Sequence, residues 1–379
     1  MGRRESPHGL VEAEARWACD RAALVHLFNV YVDSYHVNHI TRLATRPIEW
    51  SCSMSRMKGA VALVAILGLT ACGGGSPSSD EAPSAGSGSG SLEQIEVGVI
   101  PIVDVAPIYL GVKEGIFEKE GLELKLTPAQ GGAAIVPGVT SGQMDFGFSN
   151  VTSMIVGRSK GLPLKMMAPG GSTTGDTTAD FASVMTKPDS GITDIAGLAG
   201  KKIGVNTLNN ISDSTISEAV KLAGGDYESI HFVEMAFPDM TAQLAKGNVD
   251  AIAAVEPFVT ISEADGNVPV FSNYAEPVDD LTVAVYFSTD QYVAEHPETA
   301  AKFVRAMKAS QEYAEQNPEK VKAILPDYTS LEPDVIEKLT LPRYNTEVNT
   351  ASIQQIADIS LDRGLIDKKP DMGKLLPTE

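Results

Sequence analysis

A chain of 379 residues with 43% apolar and 21% charged side chains has the composition of a folded globular protein, long enough for two domains or one large one. Thirty Lys and Arg against 49 Asp and Glu leave a net charge of −19, and no basic run interleaved with aromatics offsets it, which disfavours a nucleic-acid partner. The cysteines are Cys19, Cys52 and Cys72; none pairs at metal-ligand spacing and none follows position 72. The main body therefore has no disulfide framework, Cys-ligated zinc or cysteine nucleophile.

Near the N-terminus, Arg56 and Lys58 precede an apolar run over 59–69 that closes on Leu69-Thr70-Ala71-Cys72. A basic start, a short apolar stretch and small residues before a cut site describe a secretory signal peptide over 54–71. Eleven apolar residues are too few to span a bilayer. The closing tetrapeptide resembles a bacterial lipobox, which implies that Cys72 becomes the lipidated first residue of the mature protein. That protein would be held by its lipid on the extracytoplasmic face of the cell membrane. Signal peptides begin at a start codon, so residues 1–53 are expected to be a mis-extended reading frame, with Met54 or Met57 as the start. His36 and His39 lie there, but no carboxylate or thiolate cluster accompanies them as metal ligands. Processing at Cys72 would leave 308 residues with a net charge of −21 and no tryptophan. Of the 19 residues over 73–91, 15 are Gly, Ser or Pro. Such a tract cannot bury enough apolar surface to order itself, so 72–92 reads as a flexible tether with a reach of about 25 Å.

From residue 92 onward, short apolar runs alternate with amphipathic stretches, the pattern of βα units around mainly parallel sheets. Strands are predicted over 95–100, 122–126, 144–148 and 164–168. Helices are predicted over 107–117, 133–141 and 150–160, the last two stopped by Gly142 and Gly161. A second copy of this grammar begins after 181–186, with strands over 203–206, 230–234 and 249–255 and helices over 212–223 and 240–246. Segments 268–271 and 281–287 lead back out, and the remainder is mainly helical, with helices over 297–317 and 350–363. The expectation is an α/β protein of two lobes. Residues 93–184 and 285–379 form lobe 1 and residues 185–284 lobe 2, hinged near 181–187 and 282–288.

In open parallel sheets ligands bind beyond the carboxyl ends of the strands, and here those ends would face each other across a cleft. Asp104 follows the first strand. Ser149, Asn150 and Thr152 open a helix whose unpaired N–H groups could meet a ligand's oxygens. Asn206, Asn209, Asn210 and Ser212 do the same from the second lobe, beside Asp213. Glu256 follows the last apolar strand of that lobe, and Gly131 permits close backbone approach. Ser149, Asn150, Ser212 and Asp213 could equally serve only as helix caps, and Glu256 only as a charge on the dipole of a helix opened by Pro257. The segment 170–178 could line the cleft or be a surface loop. Asp104 and Glu256 would favour a ligand bearing donors, such as an amine or aminopyrimidine, over a bare anion. No arginine falls at a predicted strand end, although helix N-termini could still hold a sulfonate.

Three segments carry a family resemblance: KEGIFEKEGLELKL over 113–126, VTSGQMDFGFSN over 139–150 and GNVDAIAAVEPF over 247–258. In this order after a lipobox, they resemble the solute-binding proteins of nitrate/sulfonate/taurine-type ABC transporters and the related thiamine-pyrimidine-precursor binders. The resemblance implies a type II periplasmic-binding-protein fold, with a C-terminal helical segment, that closes on a small molecule. It further implies a monomer without cofactor or metal that delivers its ligand to an ABC transporter permease. Thiamine-pyrimidine synthases share this fold, and the family's synthase carries a cysteine-rich iron motif with lysine-bound pyridoxal phosphate. After position 72 this chain has no cysteine, and its histidines there are His231 and His296. The expectation is therefore a non-enzymatic protein, with a synthase-like enzyme and a ligand-sensing lipoprotein as the alternatives. A protein expressed from its own signal should partition with membranes and carry acyl chains at Cys72. Cys72→Ala should abolish acylation in a radiolabelled-palmitate assay, and an acylated variant would contradict the lipobox.

Overall fold

The computed structural model describes residues 91–377. The extension 1–53, the signal peptide 54–71, Cys72 and the tether as far as residue 90 lie outside the described residues. Among the described residues no helix is long and apolar enough to cross a membrane.

The first sheet is built by β1 (Glu93–Val99), β2 (Leu122–Pro128), β3 (Phe146–Asn150), β4 (Leu164–Pro169) and the late strand β10 (Ala284–Thr289), in the order β2-β1-β3-β10-β4. β1 pairs in parallel with β2 and β3, whereas β10 runs antiparallel to both its neighbours. All six residues of β10 are buried, as expected of a strand covered on both faces. Between these strands lie α1 (Ala106–Lys113), α2 (Ile116–Lys119), α3 (Gly132–Thr140) and α4 (Val151–Ser159). The single helix expected over 107–117 is thus two, because Gly115 adopts a left-handed φ of 69° that ends the first and caps the second. Gly142 and Gly161 stop their helices as the sequence indicates, with φ of 75° and 91°.

The second sheet contains β5 (Ala182–Thr186), β6 (Lys202–Val205), β7 (His231–Glu234), β8 (Ala251–Val255) and β9 (Val268–Phe271), ordered β7-β6-β8-β5-β9. Here β5 is the antiparallel member, paired with β8 and β9. The helices of this lobe are α5 (Ile211–Leu222), α6 (Phe237–Ala245) and α7 (Phe258–Ala264). Because β5 pairs wholly within the second sheet, the first boundary belongs before Ala182 rather than after residue 184, and the crossover precedes the expected 181–187 hinge. The second boundary falls at the first residue of β10.

The C-terminal part forms α8 (Asp290–Glu295), α9 (Pro297–Gln316), α10 (Pro318–Ile324), α11 (Pro333–Lys338), α12 (Thr350–Asp362) and α13 (Met372–Leu375). Assigning all of 285–379 to lobe 1 is too simple. Helices α9 and α10 pack on α1, but α11 packs on α7, and α12 touches both α4 and α5. The apolar stripe of α9 places Phe303 against β3, where its ring stacks on Phe146 at 3.9 Å and meets Tyr286 edge-on. Where α9 crosses α1, Gly111 allows the closest approach. A Cβ there would collide with Ser310 Oγ and lie 2.6 Å from Phe117 Cε2. Gly111→Ala should therefore lower stability in thermal unfolding by about 1–3 kcal/mol, the usual cost of overpacking, and Ser310→Gly in the same chain should restore part of it.

Candidate functional site

The carboxyl ends of β1, β3, β6 and β8 converge between the two sheets, as the strand-end rule anticipates. A cavity of about 30 Å³ lies there. Ile102, Asp104, Phe148, Asn150 and Ala284 line it from the first lobe, and Asn206, Ile211, Phe237 and Tyr274 from the second. Behind it the lobes meet through Val103 N–H, which donates to the Glu256 carbonyl at 3.4 Å.

Asp104 sits in the 3₁₀ turn Val103–Val105 that follows β1, and only 2% of it is exposed. Its Oδ2 has no hydrogen-bond partner, and its carboxyl group packs against Gly171, where a Cβ would come within 2.8 Å of Oδ1. Burial raises the Asp104 carboxyl to about 7, and the charge of Asp180 adds to the rise. Asp180 is itself buried but fully served, by the hydroxyls of Thr173 and Thr174 and the Thr174 N–H at 2.7–2.8 Å. The segment 170–178 is thus the crossover that holds Asp180 behind Asp104.

Asn150 caps α4 by accepting from Ser153 N–H at 2.9 Å. The hydroxyls of its neighbours Ser149 and Thr152 are buried without partners. Buried polar atoms are almost always paired; of these unpaired residues only Asp104 lines the cavity, while Ser149 Oγ packs against Gly132, where a Cβ would collide with it. In the second lobe, Asn206 Oδ1 accepts from Asn210 Nδ2 at 2.8 Å, and Asn210 caps α5 by accepting from Ser212 N–H at 3.0 Å. Ser212 Oγ in turn lies 3.0 Å from Tyr274 OH. Of this group Asn206 and Tyr274 reach the cavity, whereas Asn210 and Ser212 stand behind them as supports.

Three expected contacts lie elsewhere. Asn209 is exposed, with a φ of 56°, and offers only its backbone N–H, to Asp213 Oδ2 at 2.7 Å. Glu256 is buried, but its oxygens accept from Thr260 N–H and Oγ1 and from Thr340 N–H at 2.8–3.2 Å. Three of its acceptor sites are thus taken by the protein itself, and Glu256 does not line the cavity; burial raises it to about 7 against these donors. Pro257 stands at the N-cap of α7 rather than inside its first turn. Gly131 meets the other lobe and not an evident ligand space: a Cβ there would lie 2.8 Å from Thr207 Oγ1 and 3.5 Å from Asn206 Nδ2. Asp213 caps the Asn209 backbone and faces Arg363 of the C-terminal segment at 3.7 Å.

Tyr274, Phe237 and Phe148 line the cavity without having been singled out in the sequence. Tyr274 belongs to the return segment after β9, and Phe237 opens α6, whose start was expected three residues later. Neither carries a motif that marks it. The buried Tyr286 OH, on β10, also lacks a partner.

The sequence profile described as NMT1/THI5 like matches residues 102–321. The formylaminopyrimidine-binding protein of Halalkalibacterium halodurans is 25% identical over 272 residues, covering 69% of this chain and 76% of that protein. The 4-amino-5-hydroxymethyl-2-methylpyrimidine phosphate synthase of Aspergillus parasiticus is 24% identical over 246 residues, covering 60% of this chain and 67% of that protein. Among solved structures, the periplasmic aliphatic sulphonate-binding protein of Escherichia coli superposes with a TM-score of 0.62 at 19% identity, over 76% of this chain and 94% of that one. The last likeness establishes a periplasmic-binding-protein fold, as the sequence led one to expect.

The Asp104 carboxyl group supplies a test of the site. An acid whose pKa is raised on folding favours the folded state below its unfolded value and loses that contribution as the pH climbs through the folded one. For Asp104 the window runs from about 4 to about 7. Asp104→Asn should therefore raise the melting temperature of the ligand-free protein at pH 8, and the gain should shrink towards pH 4. A gain that does not change with pH would contradict the buried charge.

Proposed function

The chain belongs to the NMT1/THI5-like family, and from that premise we propose that it is a solute-binding protein that closes its two lobes on a small molecule and delivers it to an ABC importer. Cys72 would carry the lipid that keeps it at the extracytoplasmic face of the membrane. The observation that carries the reading is the cavity between the lobes, lined by Asp104 and Asn150 from one and Asn206 and Tyr274 from the other, with Asp104 Oδ2 buried and unpaired.

The same atoms speak to the class of solute. A buried carboxylate oxygen needs a donor, and no lysine or arginine lines the cavity. A solute with N–H groups, such as an aminopyrimidine, satisfies Asp104 while accepting from Asn150 Nδ2. A sulfonate or nitrate ion would set a second negative charge beside the first. Closure then follows from differential affinity: contacts from both lobes are made together only in the closed state, so the solute stabilises that state.

Relatives in this family include both binding proteins and synthases. Binding is favoured here because the polar groups that line the cavity are one carboxyl, two amides and one phenol contributed by both lobes, with no cysteine, lysine or histidine among them. Formylaminopyrimidine should raise the melting temperature of the protein, ethanesulfonate should not, and the pyrimidine should be recovered unchanged after incubation. Asn150→Ala should weaken binding by about 1–3 kcal/mol in calorimetric titration and cost the fold only about 1 kcal/mol for the lost cap. Stabilisation by the sulfonate alone, or consumption of the pyrimidine, would overturn the reading.

A further inference from the structure

The inner cavity is not the whole of the space between the lobes. A second compartment of about 270 Å³ adjoins it, with Ile100, Ile102 and Phe237 lining both. Its remaining walls include Ala129 from the end of β2, Pro238 from α6 and Phe258 from α7, so both lobes build it. Pro101, Pro128, Gln130 and Pro238 at its rim are exposed, which places it on the solvent side of the polar cavity. No charged side chain lines it. Phe237 and Phe258 are stacked nearly parallel, 9° apart with centroids 5.6 Å from one another.

The two volumes divide the work. About 10–15 Å³ of such space holds one water, so the inner cavity of about 30 Å³ admits a group of roughly two or three non-hydrogen atoms while the lobes are closed. The rest of any larger solute has to lie where the space continues, among Ile102, Ala129, Phe237 and Phe258. From this geometry we infer that the outer compartment is a second subsite, taking an uncharged, apolar and preferably planar portion of the solute whose donor-bearing head lies at Asp104. The inference rests on the solute-binding reading above and narrows the class from any small N–H donor to an amphiphilic one. A flat ring slides between apolar walls with little entropy to lose, and it removes the half-exposed Phe258 from water.

Acetamidine and benzamidine separate the two halves of the proposal, since both present the same amidinium head and only one carries a ring. Isothermal titration of the full chain should give benzamidine at least about tenfold tighter binding than acetamidine, from the area its ring buries. Ala129→Phe, which fills the compartment, should erase that preference while leaving acetamidine within about twofold, and Phe258→Ala should weaken benzamidine severalfold. Equal affinities for the two amidines, both lost in Asp104→Ala, would overturn the outer subsite and leave the polar site standing. Binding of neither in the millimolar range would overturn both.

Discussion

A buried carboxylate oxygen with no partner is the costliest feature of this protein, and the structure is arranged around keeping it. Removing an ionised group from water is unfavourable unless hydrogen bonds or a counter-charge replace the lost hydration. Asp104 has neither at Oδ2, and Asp180 behind it makes matters worse. The surroundings keep both acids in place: Gly171 leaves room for the carboxyl group, Thr173 and Thr174 fix Asp180, and the 3₁₀ turn after β1 sets the backbone. A residue held at such cost in the interlobe cavity makes sense if a guest supplies what the protein withholds.

Around this point the two lobes are joined by more than their crossovers. Tyr328 OH and Tyr344 OH, both from the C-terminal segment, donate to the carbonyls of Ile102 and Val103 at the start of the turn that carries Asp104. Thr340 donates to Glu256 in the other lobe, and α12 packs on the helices that begin at Asn150 and Asn210. The C-terminal segment therefore touches the turn that carries Asp104, the end of β8 and the helices that begin at Asn150 and Asn210. Glu256 belongs to this joint, not to the ligand. It couples the end of β8 to Thr260 in α7 and to Thr340, where a movement of one lobe would be felt by both.

Much of this is legible in the chain itself. Period-3.6 stripes, the stops at Gly142 and Gly161, and apolar runs of strand length place most elements, because those signals depend on local backbone chemistry. Asp104, Asn150 and Asn206, which line the cavity, are reached by one rule, that polar residues just past a strand's carboxyl end in an α/β protein face the cleft, whereas Ser149 and Thr152 beside them do not line it. The rule fails at Asn209, where a left-handed backbone turns the residue outward. It fails differently at Glu256, whose partner Thr340 is 84 residues away. Phe148, Tyr274 and Phe237 escape it because an aromatic residue is an ordinary core residue by sequence. Their place at the cavity is set by how the return segment and α6 pack. The outer compartment is invisible for the same reason: it is a gap between surfaces contributed by β2, α6 and α7, and no single stretch of sequence encodes it.

What the cleft holds is therefore the question on which the account turns, and it can be asked without choosing a candidate. The protein can be purified from the organism that makes it, under conditions that keep the lobes closed. The molecules released on denaturation can then be weighed by mass spectrometry. The account predicts one equivalent of an uncharged or cationic solute that carries N–H donors beside an apolar portion, and its loss when Asp104 is replaced by alanine. One equivalent of a sulfonate, nitrate or another anion, retained by the Asp104 variant, would contradict it.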